Sequence, residues 1–320
     1  MHLKPIVILP GQPNSIFFEI FFKSLQKKIK SPIILVCCLK LFIEQAKKYK
    51  FNNKYNLISS KTENIINLKN RSINIIDIRY KIGNTNQVQI RNSRAYLEKC
   101  FKVAFVLLKK KVTYKLLNGP INKKNFLGKD FLGITEYISN SFNQKKTGML
   151  IYNNKLSVCP LTTHLPIKLV AKKISKSLVQ NKIKIINDFY IDKLKFKPKI
   201  AVTGLNPHCE SISSFNEDEK IILPAIKFAK KHGISVSGPY PADTIFLEQN
   251  RKKFNVILGM YHDQVLTPLK TLYEYDAINI TMGLPFIRVS PDHGPNEKMV
   301  NKNLSNPTSL FKALEFLDNN

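Results

Sequence analysis

The chain is poor in the residues that usually announce a ready-made site. Five cysteines, at positions 37, 38, 100, 159 and 209, form no CxxC pair and keep no regular spacing. So sparse and odd a set argues against a disulfide framework and fits a reducing compartment. No Gly-x-Gly-x-x-Gly occurs, so the usual dinucleotide-binding fingerprint is missing. No secretory leader is legible, because residues 2–9 are too short for its apolar region and run into Pro10-Gly11. The apolar run from Ile33 to Ile43 is broken by Lys40 and is too short to span a bilayer. A cytoplasmic protein without membrane contact is the expectation. Repeats and long linkers are absent too, so a second lobe must be woven from middle segments within residues 1–320.

Acidic residues are scarce: 22 Asp and Glu stand against 51 Lys and Arg, a formal charge of +29. A nucleic-acid binder would gather that charge on one face, interleaved with aromatics. Here the lysines are scattered through every segment, so a nucleic-acid partner is disfavoured. The positive field would still draw in phosphorylated substrates. A hydrophobic content of 43% over 320 residues supplies a full core.

The order of elements predicts an α/β fold. Ile6 to Leu9 reads as a buried strand, followed by a helix from Ile16 to about Lys28 that Ser15 caps. Ile33 to Cys37 is a second strand and Leu39 to Tyr49 a second helix. This rhythm argues for a parallel or mixed sheet flanked by helices. Further on come a weakly patterned stretch, Phe51 to Asn92, with a strand at Ile73 to Ile78, then a long helix from Arg94 to Lys115. Thr135 is read as a helix cap, and a hairpin as joining Gly148–Ile151 to Leu156–Cys159. Pro166 opens a helix reaching Leu178. Strands are expected at Ile200–Gly204, Val256–Met260 and Ala277–Thr281, and helices at Glu217–His232, from Ala242, and at Ser305–Leu317.

Three histidines follow apolar strands in polar-turn settings: His164, His208 and His262. Neutral imidazoles are good ligands for Zn²⁺ and related ions, and three protein ligands leave positions open for substrate. Their separations of 44 and 54 residues match no local HExxH spacing, and any one of them alone is more often a satisfied core or surface histidine. His2 and His232 lack the strand-end setting. Asp263, directly after His262, is a candidate to orient that ligand or to join it. Lys270, Asn279 and Arg288 each border or sit in an apolar element. A guanidinium among Phe286, Ile287 and Val289 would be costly without an anionic partner.

The runs TTHLP, GLNPH, GPYPADT, MYHDQ, NITMGLPFIR and DHG together resemble the 4-hydroxythreonine-4-phosphate dehydrogenase (PdxA) family, from residue 119 to the C-terminus. The resemblance implies the two-lobed isocitrate/isopropylmalate dehydrogenase-like fold, with mixed sheets flanked by helices, as a homodimer. It implies NAD-dependent oxidation and decarboxylation of a phosphorylated hydroxy amino acid, with NADP as the alternative cofactor. A divalent metal (Zn²⁺, Mg²⁺ or Co²⁺) would be held by His164 and His208 together with the partner's His262. Substrate contacts fall on Thr135, Lys270, Asn279 and Arg288, and the cofactor-side loop on Asp292, His293 and Gly294. Asp243, Asp263 and Lys270 are the candidates for catalysis, Asp243 or Asp263 for moving a proton or orienting a ligand.

The chain also departs from the pattern. Where the family has Gly-His-Thr-Glu, this sequence reads Gly133-Ile134-Thr135-Glu136. The early Gly-Asp-Pro is here Gly11-Gln12-Pro13, and the Gly-rich loop after His208 is Cys209 to Ser214. Pro295 replaces the Thr that follows Asp-His-Gly. These changes keep open a same-fold enzyme acting on a different phosphorylated or carboxylated hydroxy acid, or a catalytically decayed binding protein.

Overall fold

The computed structural model describes residues 3–60, 68, 72–128, 130–131, 133–210 and 215–320. His2, Ser211 to Ser214 and part of the polar stretch between 51 and 92 lie outside these. Strands run, in chain order, β1 (Ile6–Leu9), β2 (Ile33–Cys37), β3 (Tyr55–Leu57), β4 (Ile73–Asp77), β5 (Lys115–Asn118) and β6 (Gly148–Tyr152). They continue as β7 (Ser157–Thr162), β8 (Ile200–Thr203), β9 (Val236–Tyr240), β10 (Val256–Tyr261), β11 (Ile278–Met282) and β12 (Ile287–Pro291). The helices are α1 (Phe17–Ser24), α2 (Leu39–Lys48), α3 (Asn86–Lys109), α4 (Lys123–Leu127), α5 (Ile134–Ser141) and α6 (Val170–Lys173). After these come α7 (Lys176–Phe189), α8 (Leu223–Lys231), α9 (Glu248–Arg251), α10 (His262–Tyr273) and α11 (Thr308–Asn319). The chain divides into two compact units: Met1–Tyr137 with Pro285–Asn320, and Ile138–Leu284. Among the described residues no helix is long and apolar enough to cross a membrane.

In the first unit the strands stand in the order β3-β4-β2-β1-β5-β12, every neighbouring pair parallel. The short, unbroken apolar runs of β1 and β2 are those of strands buried on both faces. Helix α1 is buried on nearly every side, because Phe17, Phe18, Phe21 and Phe22 leave it no polar face. Its one acid, Glu19, is 1% exposed, and its Oε1 accepts from Lys23 Nζ at 2.8 Å and Ser305 N at 2.6 Å. That pairing offsets the cost of burying a carboxylate and ties α1 to the segment before α11.

The second unit is a mixed sheet in the order β11-β6-β7-β10-β8-β9. The hairpin strands β6 and β7 are antiparallel, as are β11 and β6, while β7, β10, β8 and β9 run parallel. Ile151, Val158, Ile257, Val265 and Leu269 form part of one core beneath α10. Helix α10 leans hard on its own strand: a Cβ at Gly259 would meet Val265 Cγ1 at 2.3 Å. Only glycine permits that approach.

Several expectations need correcting. The helix expected from Arg94 to Lys115 starts earlier, at Asn86, where Thr85 Oγ1 accepts from Val88 N, and it ends at Lys109. Lys115 instead opens β5. The helix expected from Pro166 to Leu178 is broken after Lys173, because Ile174 is extended and Ser175 caps a fresh start by accepting from Leu178 N. Thr135 lies inside α5 rather than capping it, since Gly133 O already accepts from Tyr137 N. Ala242 to Thr244 form a turn, and the helix begins only at Glu248. Strands β9 and β12 carried no clear signal: Ser-Gly-Pro-Tyr breaks the apolar pattern of one, and Arg288 interrupts the other.

Candidate active site

The three histidines leave one edge of the second unit's sheet. Strands β7, β10 and β8 are parallel neighbours, and each is followed at its C-terminal end by a histidine. That edge is where α/β sheets carry their ligands. His164 lies two residues past β7 with φ of 50°, and His208 sits in a single 3₁₀ turn after β8 with φ of 56°. His262 is the first residue of α10, immediately after β10.

His164 and His262 come together. Their ring centroids are 6.0 Å apart, and both line a cavity of about 300 Å³ with Thr162, Leu165, Tyr261 and Asp263. Thr162 Oγ1 donates to Met260 O at 2.8 Å, which locks the ends of β7 and β10 to each other. Asp263 Oδ1 lies 2.6 Å from His262 Nδ1. This bond fixes the ring and directs Nε2 away from the carboxylate, the arrangement that raises the basicity of a metal-ligating imidazole. His208 lies outside the cavity lining, and no group of three or more His, Cys, Asp or Glu able to hold an ion forms among the described residues.

The His208 turn has its own anchor. Asp218, 1% exposed, accepts from Leu205 N at 2.6 Å and from Asn206 N at 3.1 Å and Nδ2 at 2.9 Å. Burial, followed by the charge of Asp218, pushes the Cys209 thiol up to about 11. The thiol beside His208 therefore stays protonated at neutral pH. Asp243 is exposed, with its charge close enough to act on the same thiol.

The remaining candidates divide between the units. In the second, Lys270 is exposed on the last turn of α10. Asn279, in β11 opposite Ile151, has a buried Oδ1 without a hydrogen-bond partner. In the first, Arg288 is 3% exposed and stands in β12 opposite Leu116 of β5. Its Nε donates to Asn118 Oδ1 at 2.7 Å. Burial lowers its pKa to about 10, while the charge of Glu136 works the other way. Thr135 is half-buried beside Ile134, which is 7% exposed. Asp292 N donates to Ser309 Oγ, His293 Nδ1 lies 3.0 Å from Gly294 O, and Gly294 has open space about it. Sequence reasoning passed over Asn118, Asp218 and Gln264. Asn118, before Gly-Pro at a strand end, carried a usable signal, and Gln264 completes the MYHDQ run; Asp218 carried none beyond its place in an acidic helix start.

Two α/β units, the first with an all-parallel sheet and the second with a mixed one, make up the fold. A β-decarboxylating dehydrogenase of Thermococcus kodakarensis shares it at 11% identity over 98% of this chain and 82% of that one, with a TM-score of 0.50. The chain belongs to the family described as pyridoxal phosphate biosynthetic protein PdxA, whose model matches residues 28–317. It is 37% identical over 317 residues to the 4-hydroxythreonine-4-phosphate dehydrogenase of Sulfurihydrogenibium sp., covering 97% of this chain and 96% of that protein. It is also 32% identical to the D-threonate 4-phosphate dehydrogenase of Salmonella typhimurium, over 92% of each. The crystal structure of the Klebsiella pneumoniae 4-hydroxythreonine-4-phosphate dehydrogenase superposes with a TM-score of 0.83 at 27% identity, covering 98% of both chains.

Proposed function

We propose that the chain is an oxidoreductase that oxidises the secondary alcohol of 4-hydroxythreonine 4-phosphate with NAD and releases CO₂ from the resulting β-keto acid, within vitamin B6 synthesis. The observation that carries the reading is the His164–His262 pair over its cavity, with Asp263 holding the Nδ1 side of His262. Two imidazoles on one Zn²⁺ place their ring centres roughly 5–6 Å apart, so the pair supplies two of the ligands a divalent ion takes. Such an ion supplies Lewis acidity at the substrate oxygen. His208 and a second copy of the chain are the sources of the further ligands.

Each protein group then has a task. Asp263 fixes the His262 tautomer. Asp243 takes the alcohol proton. Lys270 and Arg288 offer charge to the phosphate and carboxylate, Arg288 through a planar fork that Asn118 holds. Thr135 and the unpaired Oδ1 of Asn279 supply polar contacts to the substrate, and Asp292, His293 and Gly294 border the cofactor. Placement in the cytoplasm follows from the need for NAD.

A second reading is favoured by Ile134. An apolar, buried side chain stands where the family's motif has a histidine, so one polar substrate contact is lost. D-threonate 4-phosphate, which carries a hydroxyl where the first substrate carries an amine, is then the competing substrate. Purified protein with Co²⁺, NAD and either compound, followed at the NADH absorbance, separates the two. Turnover of the amino substrate at the higher kcat/KM supports the first reading, and turnover of the hydroxy acid alone replaces it. Inertness toward both overturns the proposed activity.

A further inference from the structure

We infer that Gln264 is a positioning residue that fixes how far the His208 turn stands from the His262 end of β10; the inference rests on the metal reading above. The backbone ladder between β8 and β10 runs only through Ile200–Val202 paired with Val256–Leu258. Beyond it the side-chain amide of Gln264 takes the place of a peptide group. Its Oε1 accepts from Met260 N at 2.7 Å, on the β10 side. The same oxygen accepts from Thr203 Oγ1 at 2.8 Å, and Nε2 donates to Gly204 O at 2.8 Å, both on the β8 side.

One carboxamide thus closes the gap between two strands, and both of its polar atoms are used. The lock on the other flank of β10 is different in kind. There the backbone pairing with β7 continues as far as Tyr261 opposite Thr162, and the Thr162 hydroxyl adds to it. The contrast accounts for the histidines. Where the ladder is closed, His164 and His262 approach to 6.0 Å. Where Gln264 is wedged in, His208 departs on a separate turn. Gly259 makes room for the wedge, since a Cβ there would come within 3.1 Å of Gln264 Oε1. Gln264 touches no ligand in this scheme and acts through the strand ends it joins.

The test is Co²⁺ titration of the purified full chain, read by the visible d–d bands and by chelator competition, beside the thermal unfolding of the metal-free protein. Gln264→Leu, which keeps much of the bulk and loses all three bonds, should weaken Co²⁺ by about 10–100-fold and change the shape of the bands. Gln264→Glu keeps an acceptor for Met260 N and loses the donor to Gly204 O, and should fall between. A Gln264→Leu protein that folds and shows the wild-type spectrum and affinity overturns the inference. Should the leucine variant fail to fold, wild-type spectrum and affinity in Gln264→Glu overturn it instead. Wild-type protein that takes up no Co²⁺ removes the metal reading itself, and this inference with it.

Discussion

The Nε of Arg288 donates to Oδ1 of Asn118 at 2.7 Å, across adjacent strands of the same sheet. Asn118 Nδ2 is itself turned to Gly119 O at 2.9 Å, so the amide cannot flip without losing a bond. The guanidinium is held at its Nε by that amide. Removing the acceptor with Asn118→Ala should cost about 1.5–3 kcal/mol of that orientation. The expected result is a roughly 10-fold or greater rise in KM for a phosphorylated substrate with a smaller change in kcat, read from steady-state kinetics.

Arg288 also sets an alkaline limit. Its pKa is lowered to about 10 by burial, so the charge is complete at pH 7 and is lost as pH rises through about 10. KM for an anionic substrate should climb across that range, on a kcat/KM profile measured from pH 7 to 10.5. A profile that stays flat to pH 10.5 would show that the Arg288 guanidinium keeps its proton across the range.

Asp263→Asn keeps the size of the side chain and removes the charge that steadies His262 Nδ1. Divalent metal affinity should fall by about 10–100-fold, measured by Zn²⁺ competition with a chromogenic chelator. Unfolding temperature should hardly move, because Asp263 is exposed.

Lys115 offers a stability test away from the candidate site. It is 2% exposed, with Nζ near Ser31 Oγ at 3.4 Å, and burial lowers its pKa while the charge of Asp318 partly restores it. A lysine whose folded pKa is depressed binds fewer protons folded than unfolded, so its cost is full at neutral pH. That cost fades as pH rises through the folded pKa toward the ordinary value. Lys115→Met should therefore raise the unfolding temperature at pH 7, with the gain shrinking toward pH 10.5 in a calorimetric series.

Much of this architecture was legible because its signals are local. Ile6–Leu9 and Ile33–Cys37 are apolar runs of strand length, and both form strands with those bounds. The strand ends before His164, His208 and His262 were legible for the same reason. That these three strands are neighbours was not, since pairing between segments 40 or more residues apart leaves no local mark. Arg288 shows the other kind of failure. A charge in an apolar run reads as an interruption, and only the amide of Asn118, 170 residues away, makes a strand there affordable.

His164 and His208 adopt left-handed backbone angles, φ of 50° and 56°, which cost a residue other than glycine about 1–2 kcal/mol. That cost falls on folding, before any ion arrives. An incoming cation would meet loops already wound, with little entropy left to lose. Its capture would then be governed by encounter, in a strongly positive chain that repels it, rather than by a slow rearrangement of the protein. Uptake should quicken as salt screens the chain's charge.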